Sequence, residues 1–325
     1  MIIPVYNVRP YIEEALDSVI GQTYRKLEII IIDDGSTDGS GEICDRYAEQ
    51  DCRIKVYHQE NKGLSAARNT GLDVSMGPVI AFLDPDDAFA HDMISKMMEG
   101  MEEYQADIMI CGFSVHESQE RMEQEETETP VLQLCDKNEA FLKLVNDEIN
   151  TAVWNRLYKK SVWNDLRFPA GRVYEGTYTS CDIFDRVEKV VITNEKLVLH
   201  RIRPGSICKT ICLKNIMDSF YSNDHFLAYV KTHTPVIFSE KDLRNTIQKR
   251  VKGRILAYLS CYERKSNMKM CRSNMREKLV FVKEDLADCG FILQICYYCA
   301  LLFPRISAML YSAYRRMYDV LDEKE

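Results

Sequence analysis

Short aliphatic runs alternate with helically spaced apolar positions over the first third of the chain. Ile2-Ile3-Pro4-Val5 reads as a strand. From Pro10, Ile12, Ala15, Leu16, Val19 and Ile20 share one helical face that ends at Gly21. Leu27–Ile32 is continuously aliphatic, the pattern of a strand buried on both faces. A helix with Ile43, Cys44, Tyr47 and Ala48 inward follows. Next come a strand at Ile54–Tyr57, a helix at Leu64–Val74, a strand at Val79–Leu83, a helix at Asp92–Tyr104 and a strand at Asp107–Phe113. This order predicts an α/β fold: a parallel sheet with helices on both faces. Further on the pattern predicts a helix at Lys137–Val145, strand and loop around Trp154–Tyr158 and Leu166–Pro169, and two short strands in Val187–Ile202. Beyond Ile216 it is helical, with breaks near Thr234-Pro235 and Ser266-Asn267.

Parallel sheets bind ligands beyond the carboxyl ends of their strands. The polar clusters lie at those ends: Tyr6-Asn7, Asp33-Asp34 and Asp84-Pro85-Asp86-Asp87. Three carboxylates in four positions are a hard-oxygen set suited to Mg²⁺ or Mn²⁺. Acids capping a helix N-terminus would read the same way. Asp33-Asp34-Gly35-Ser36 carries that same pair of readings.

The 325 residues suffice for about two domains at ~150 residues each. A net charge of −8 argues against nucleic acid as a partner. Twelve cysteines stand at irregular intervals with a lone Cys296–Cys299 pair, which predicts buried reduced thiols and no zinc site. With no basic, apolar leader at the N-terminus, the expectation is a cytoplasmic protein. The acidic stretch Glu117–Glu128 reads as a solvated loop.

Four segments in order, Ile2–Asn7, Ile32–Asp38, Asn61–Gly71 and Phe82–Asp87, resemble family 2 glycosyltransferases of the GT-A fold, of the bacterial polysaccharide type. The resemblance is close over residues 1–113. It continues more loosely to about residue 210 through Trp154–Tyr158, Leu166–Phe168 and His200–Ser206. It implies a nucleotide-sugar-binding half at 1–113, an acceptor-side part at 114–215 and a helical region at 216–325. Pro4, Tyr6 and Asn7 would border the nucleobase, with Tyr6 offering a stacking face. Asp34, with Asp33 beside it, would bond the base or ribose, and Lys62, Arg68 and Asn69 would line the nucleotide. A structural ion pair with one of the aspartates accounts equally well for Arg68. Asp86 and Asp84 match the two acids of the DxD motif, Asp86 as the direct metal ligand and Asp84 toward ribose. A Mn²⁺ or Mg²⁺ ion would neutralise the leaving diphosphate. Arg201 and Arg203 would clamp the phosphates, or form an exposed turn. The implied reaction is an inverting displacement from a nucleotide-sugar donor, UDP-linked foremost, onto a glycan or lipid-linked glycan acceptor.

One departure bears on catalysis. Family members carry Glu-Asp where this chain reads Glu175-Gly176, and the Asp is the general base. Losing a positioned base costs about 10²–10⁴-fold in rate. Glu175 could move into the role. Asp182 shares its helical face but lies about 10 Å further along the axis. Alternatively the chain binds the donor, transfers little, and acts as a scaffold or partner subunit. Phe291–Phe303 is apolar except for Gln294, and Ile306–Tyr318 is amphipathic. The run 291–303, broken by Pro304-Arg305, is too short for a simple span, and residues 291–318 together read as a pair of helices. They suit a membrane surface, a packed helix or a homodimer contact.

Overall fold

The computed structural model describes residues 1–117, 129–203, 206, 212–234, 236–263 and 283–311. The chain divides into two compact units, Met1–Ile211 and Cys212–Glu325. In the first, β1 (Ile2–Val5), β2 (Ile29–Asp33) and β3 (Ile54–His58) form a parallel sheet in the order β1-β2-β3. Every residue of β1 and β2 is buried, as the unbroken aliphatic runs require. Helices α1 (Ile12–Ile20), α2 (Ser40–Gln50) and α3 (Leu64–Val74) connect and cover these strands. Helix α3 lies so close to β1 that a β-carbon at Gly71 would run into Ile2.

The rest of the sheet departs from the all-parallel expectation. β4 (Val79–Ala81), β5 (Ala88–Phe89), β6 (Ile108–Glu117), β8 (Arg156–Lys159) and β9 (Lys189–Ile202) run in the order β4-β8-β6-β9-β5, with β7 (Leu132–Asp136) beside β9. β8 pairs antiparallel with both β4 and β6, so a later strand separates two that are near neighbours in sequence. A bridge between Ile2 and Phe82 joins the two sheets. β9 is one strand, not two. Its partners on β6 jump from Ile110↔Ile192 to Gly112↔Lys196, and this bulge absorbs Asn194-Glu195 without ending the strand.

α4 (Met93–Tyr104) buries Met93, Met97 and Met101 in the core shared with Ile3, Val5 and Ile31. α5 (Lys137–Val145) starts with a capping box made by Asp136 and Glu139. α6 (Glu175–Phe184) follows Tyr174, which has φ 62°. Phe82 meets Tyr158, Trp163 and Phe168 edge-on at 6.2, 5.3 and 5.5 Å, anchoring the segment that leads into Asp84.

In the second unit, α7 (Leu213–His233), α8 (Glu240–Glu263) and α9 (Phe291–Leu302) enclose a core of Phe220, Leu227, Val251, Tyr258 and Tyr297. Arg254 is buried there against Asp224 at 2.5 Å and lies over the Phe220 ring. The expected break near Ser266 falls outside the described residues, as does most of the acidic stretch. No helix among the described residues is long and apolar enough to cross a membrane. Phe291, Ile292, Leu302 and Phe303 are nevertheless exposed. The cysteines are mixed: Cys44, Cys111, Cys135, Cys181 and Cys289 are buried, but Cys52, Cys212, Cys296 and Cys299 are exposed.

Candidate active site

The carboxyl ends of β1, β2 and β4 bring the expected residues to one rim. Pro4 is held inside β1 opposite Ile32. Tyr6 projects to solvent with half its surface free, so its ring is open to a stacking partner. Asn7, at φ 50°, accepts from the Thr37 amide at 2.8 Å and donates its own amide to Ser36 Oγ at 3.2 Å. Neighbouring Asp33 accepts from the Ser36 amide at 3.0 Å and pairs with His58 Nδ1 at 2.8 Å. Asp34 is almost fully buried. It accepts from Gln59 Nε2 at 2.6 Å and from the amides of Lys62 and Gly63 at 2.9 and 2.7 Å. Asp34 therefore shapes the loop that presents the exposed Lys62, while Asp33 holds the turn after β2. Asn69 turns to the protein instead: its side chain donates to the Phe168 carbonyl at 2.9 Å and accepts from the Phe168 amide at 2.8 Å.

Arg68 organises one side of the rim. It is 1% exposed, and its guanidinium reaches Asp84 at 2.5 Å on one arm and Glu175 on the other. Burial opposes the charge, but Asp84 and Glu175 outweigh it and hold the guanidinium above the ordinary arginine range. Phe82 and Phe168 lie under it, with centroids 5.9 and 5.6 Å away. The structural pairing weighed from the sequence is thus realised with two acids at once. It ties α3, the end of β4 and the start of α6 together across more than a hundred residues of chain.

Glu175 is brought to the site, but its carboxylate is locked to a buried guanidinium. An oxygen engaged by that guanidinium is not open to an acceptor hydroxyl, which weighs against the base role expected of Glu175. Gly176 is closed off as well. A β-carbon there would sit 2.5 Å from the Thr151 carbonyl oxygen, so an aspartate could enter only with a backbone shift. Asp182 lies two turns further along α6.

The Asp84–Asp87 turn is closed by the Asp87 amide donating to the Asp84 carbonyl at 3.0 Å. Asp86 pairs with Arg203, and its carbonyl accepts from Arg201 Nε at 3.2 Å. Burial, and then the charge of Asp84, push the Asp86 carboxyl above the usual range despite Arg203. Asp87 is fully buried. It accepts from His200 Nδ1 at 3.0 Å and from the Arg201 amide at 2.8 Å. Burial pushes its carboxyl up to about 7, against the pull of His200. Arg201 also pairs with Glu14, and both Arg201 and Arg203 lie 5.4 Å over the Tyr11 ring. The exposed-turn reading of these arginines is replaced by a packed one.

Among the described residues no group of three or more His, Cys, Asp or Glu side chains is disposed to hold a metal ion. The donor set still fits a cation that takes its remaining ligands from phosphate and water. Asp86 carries a charge that burial and Asp84 both oppose, and in this structure Arg203 supplies the positive partner. Glu14, Tyr11 and the Asp87–His200 pair were not foreseen. A glutamate on the polar face of a helix looks like any surface acid until its partner is placed by the fold.

Comparison with known proteins matches residues 1–166 to the model of Glycosyl transferase family 2. Glycosyltransferase GlyA of Streptococcus pneumoniae is 38% identical over 225 residues, 64% of this chain but only 31% of GlyA. GlyG of the same organism is 34% identical over 65% of this chain and 72% of its own length. The uncharacterized glycosyltransferase EpsJ of Bacillus subtilis is 35% identical over 67% of this chain and 64% of its own. Among solved structures, S. aureus TarS in complex with UDP-GlcNAc superposes with a TM-score of 0.58 at 15% identity, covering 88% of this chain and 90% of that one. The mannosyltransferase PcManGT of Pyrobaculum calidifontis, in complex with GDP-Man and Mn²⁺, gives 0.55 at 17% identity, covering 93% and 86%. The fold is GT-A, and the chain belongs to Glycosyl transferase family 2.

Proposed function

We propose that this glycosyltransferase moves a sugar from a nucleoside-diphosphate donor, UDP-linked foremost, to a hydroxyl of a glycan or lipid-linked glycan, with inversion at the anomeric carbon. The observation that carries the reading is the Asp84–Asp86 turn. It is held by Arg68 on one side and Arg203 on the other, at the strand ends where ligands of such sheets bind. Asp86, with Asp84 beside it, would hold Mn²⁺ or Mg²⁺. When bound there the ion supplies charge neutralisation to the departing diphosphate. Tyr6 stacks on the base, Asp34 and Lys62 frame the nucleoside, and Arg203 passes from Asp86 to the phosphates once the donor enters. Arg201 keeps that strand end in place through Glu14 and the Asp86 carbonyl. Glu175 acts through Arg68, whose second arm sets the rotamer of Asp84. TarS is described with a uridine diphosphate sugar and PcManGT with a guanosine one and Mn²⁺, which supports the donor class more than the base.

Calorimetric titration of the full chain with UDP in the presence of Mn²⁺ tests this reading. Saturable binding that disappears on metal removal is expected, and no heat with either UDP or GDP sinks it. The exposed apolar residues Phe291, Ile292, Leu302 and Phe303 extend the reading to a membrane surface, where a lipid-linked acceptor lies. Co-sedimentation with anionic phospholipid vesicles is the expected result. A chain that stays in the supernatant and elutes as a dimer assigns this face to a second copy instead.

The closed site at Gly176 favours a second reading, a homologue that binds the donor and transfers little. Turnover of the wild-type chain separates the two.

A further inference from the structure

The start of α6, where the sequence places the base, offers no open proton acceptor. Gly176 offers no side chain and no room for one, and Glu175 is tied to Arg68. An inverting displacement still has to take a proton from the attacking hydroxyl.

On the other flank of Asp86 stands a pair with the required geometry. His200 Nδ1 donates to Asp87, 3.0 Å from each carboxylate oxygen. With Asp87 ionised, and so only an acceptor, that contact puts a ring hydrogen on Nδ1 and leaves Nε2 facing away from Asp87. Nε2 has no hydrogen-bond partner among the described residues, and the side chain is 34% exposed, while Asp87 behind it is 0% exposed. The ring cannot swing freely. It stacks on Trp154 at 5.0 Å with the planes 9° apart, and Phe113 closes its edge at 6.2 Å. A buried carboxylate, an imidazole of set tautomer and an open second nitrogen are the parts from which enzymes build an oriented general base. The peptide link from Asp87 to Asp86 holds this base beside the residue proposed to face the diphosphate.

We infer that His200, oriented by Asp87 and held flat by Trp154, is the general base of this transferase. The inference rests on the proposed glycosyl transfer. As the acceptor oxygen bonds to the anomeric carbon, its proton passes to Nε2. The bond from that carbon to the diphosphate oxygen breaks, and its electron pair leaves with the nucleotide. With water as acceptor, the same step is donor hydrolysis. The charged groups around the ring are Asp87 in contact, Asp84 and Asp86 through space, and Arg201 next in the chain.

The test uses the full chain with Mn²⁺ and follows UDP release from UDP-glucose, UDP-galactose and UDP-GlcNAc, with water as acceptor. His200→Gln is expected to lower kcat at least about 10²-fold while UDP–Mn²⁺ affinity and Tm stay at wild-type values. In His200→Gly, added imidazole is expected to restore turnover, which a merely structural histidine would not show. Wild-type turnover in His200→Gln overturns the assignment. So does a parallel loss of Mn²⁺ affinity, which would make the ring a metal-positioning group. A wild-type chain that binds UDP but releases none from any donor overturns it too, in favour of the non-transferring homologue. A wild-type chain that binds no nucleotide defeats the proposed function itself.

Discussion

Exchange of Arg68 for methionine is expected to lower folding stability by about 3–5 kcal/mol, the range for breaking a buried ion pair from one side. The change removes one cation and strands two carboxylates. Asp84 and Glu175 keep 25% and 10% of their side-chain surface, so water compensates neither fully. The guanidinium plane over Phe82 and Phe168 is lost as well. Lysine should rescue little, because a point ammonium cannot reach both acids on separate arms. Urea denaturation of Arg68→Met, Glu175→Gln and the double variant checks the argument. The double variant should be more stable than the sum of the single losses predicts, since each change relieves part of what the other leaves unpaired. Simple additivity would show that the three groups do not act as a unit.

Asp86→Asn should have the opposite signature, with activity collapsing and stability held or raised. An amide keeps the shape but cannot offer a cation a full charge. Loss of about 4 kcal/mol of transition-state stabilisation is in line with metal-assisted charge neutralisation and amounts to ~10³-fold in turnover. The stability arm follows from linkage. Burial, then Asp84, raise the Asp86 carboxyl above its ordinary range, so the folded chain holds that proton more tightly than the unfolded chain does. Its ionisation therefore opposes folding as pH rises from about 4. Asparagine removes that opposition, and the gain should grow with pH until the folded carboxyl has titrated. Arg203 loses its partner, but it keeps 20% of its side-chain surface and the Tyr11 ring beneath it. Mn²⁺ titration and thermal melts across pH read the two arms separately. A variant that melts well below wild type while turning over normally would mark Asp86 as a structural acid.

Periodicity alone located most of the first unit. Leu64–Val74 and Lys137–Val145 coincide with α3 and α5 to the residue, because one-sided apolar spacing and a cap are local properties. The errors came where pairing is non-local. The antiparallel insertion of β8 and the unbroken course of β9 depend on partners far along the chain, and a bulge looks like a loop to any local reading. The site divides in the same way. Asp84, Asp86 and Arg68 announced themselves by motif and by a charge on an apolar face. Asn69 sits in the same motif, yet its side chain is used to hold the Phe168 backbone.

By itself the sequence determined the α/β class, the family and the acidic strand tips, since strand burial, helix spacing and turn chemistry are written in neighbouring residues. Only the tertiary structure decided which acid meets which base: Arg68 between Asp84 and Glu175, Arg203 on Asp86, and His200 on Asp87. The reason is physical. A charge entering a low-dielectric interior has to find its counter-charge there, and the fold alone sets which side chains are brought within reach.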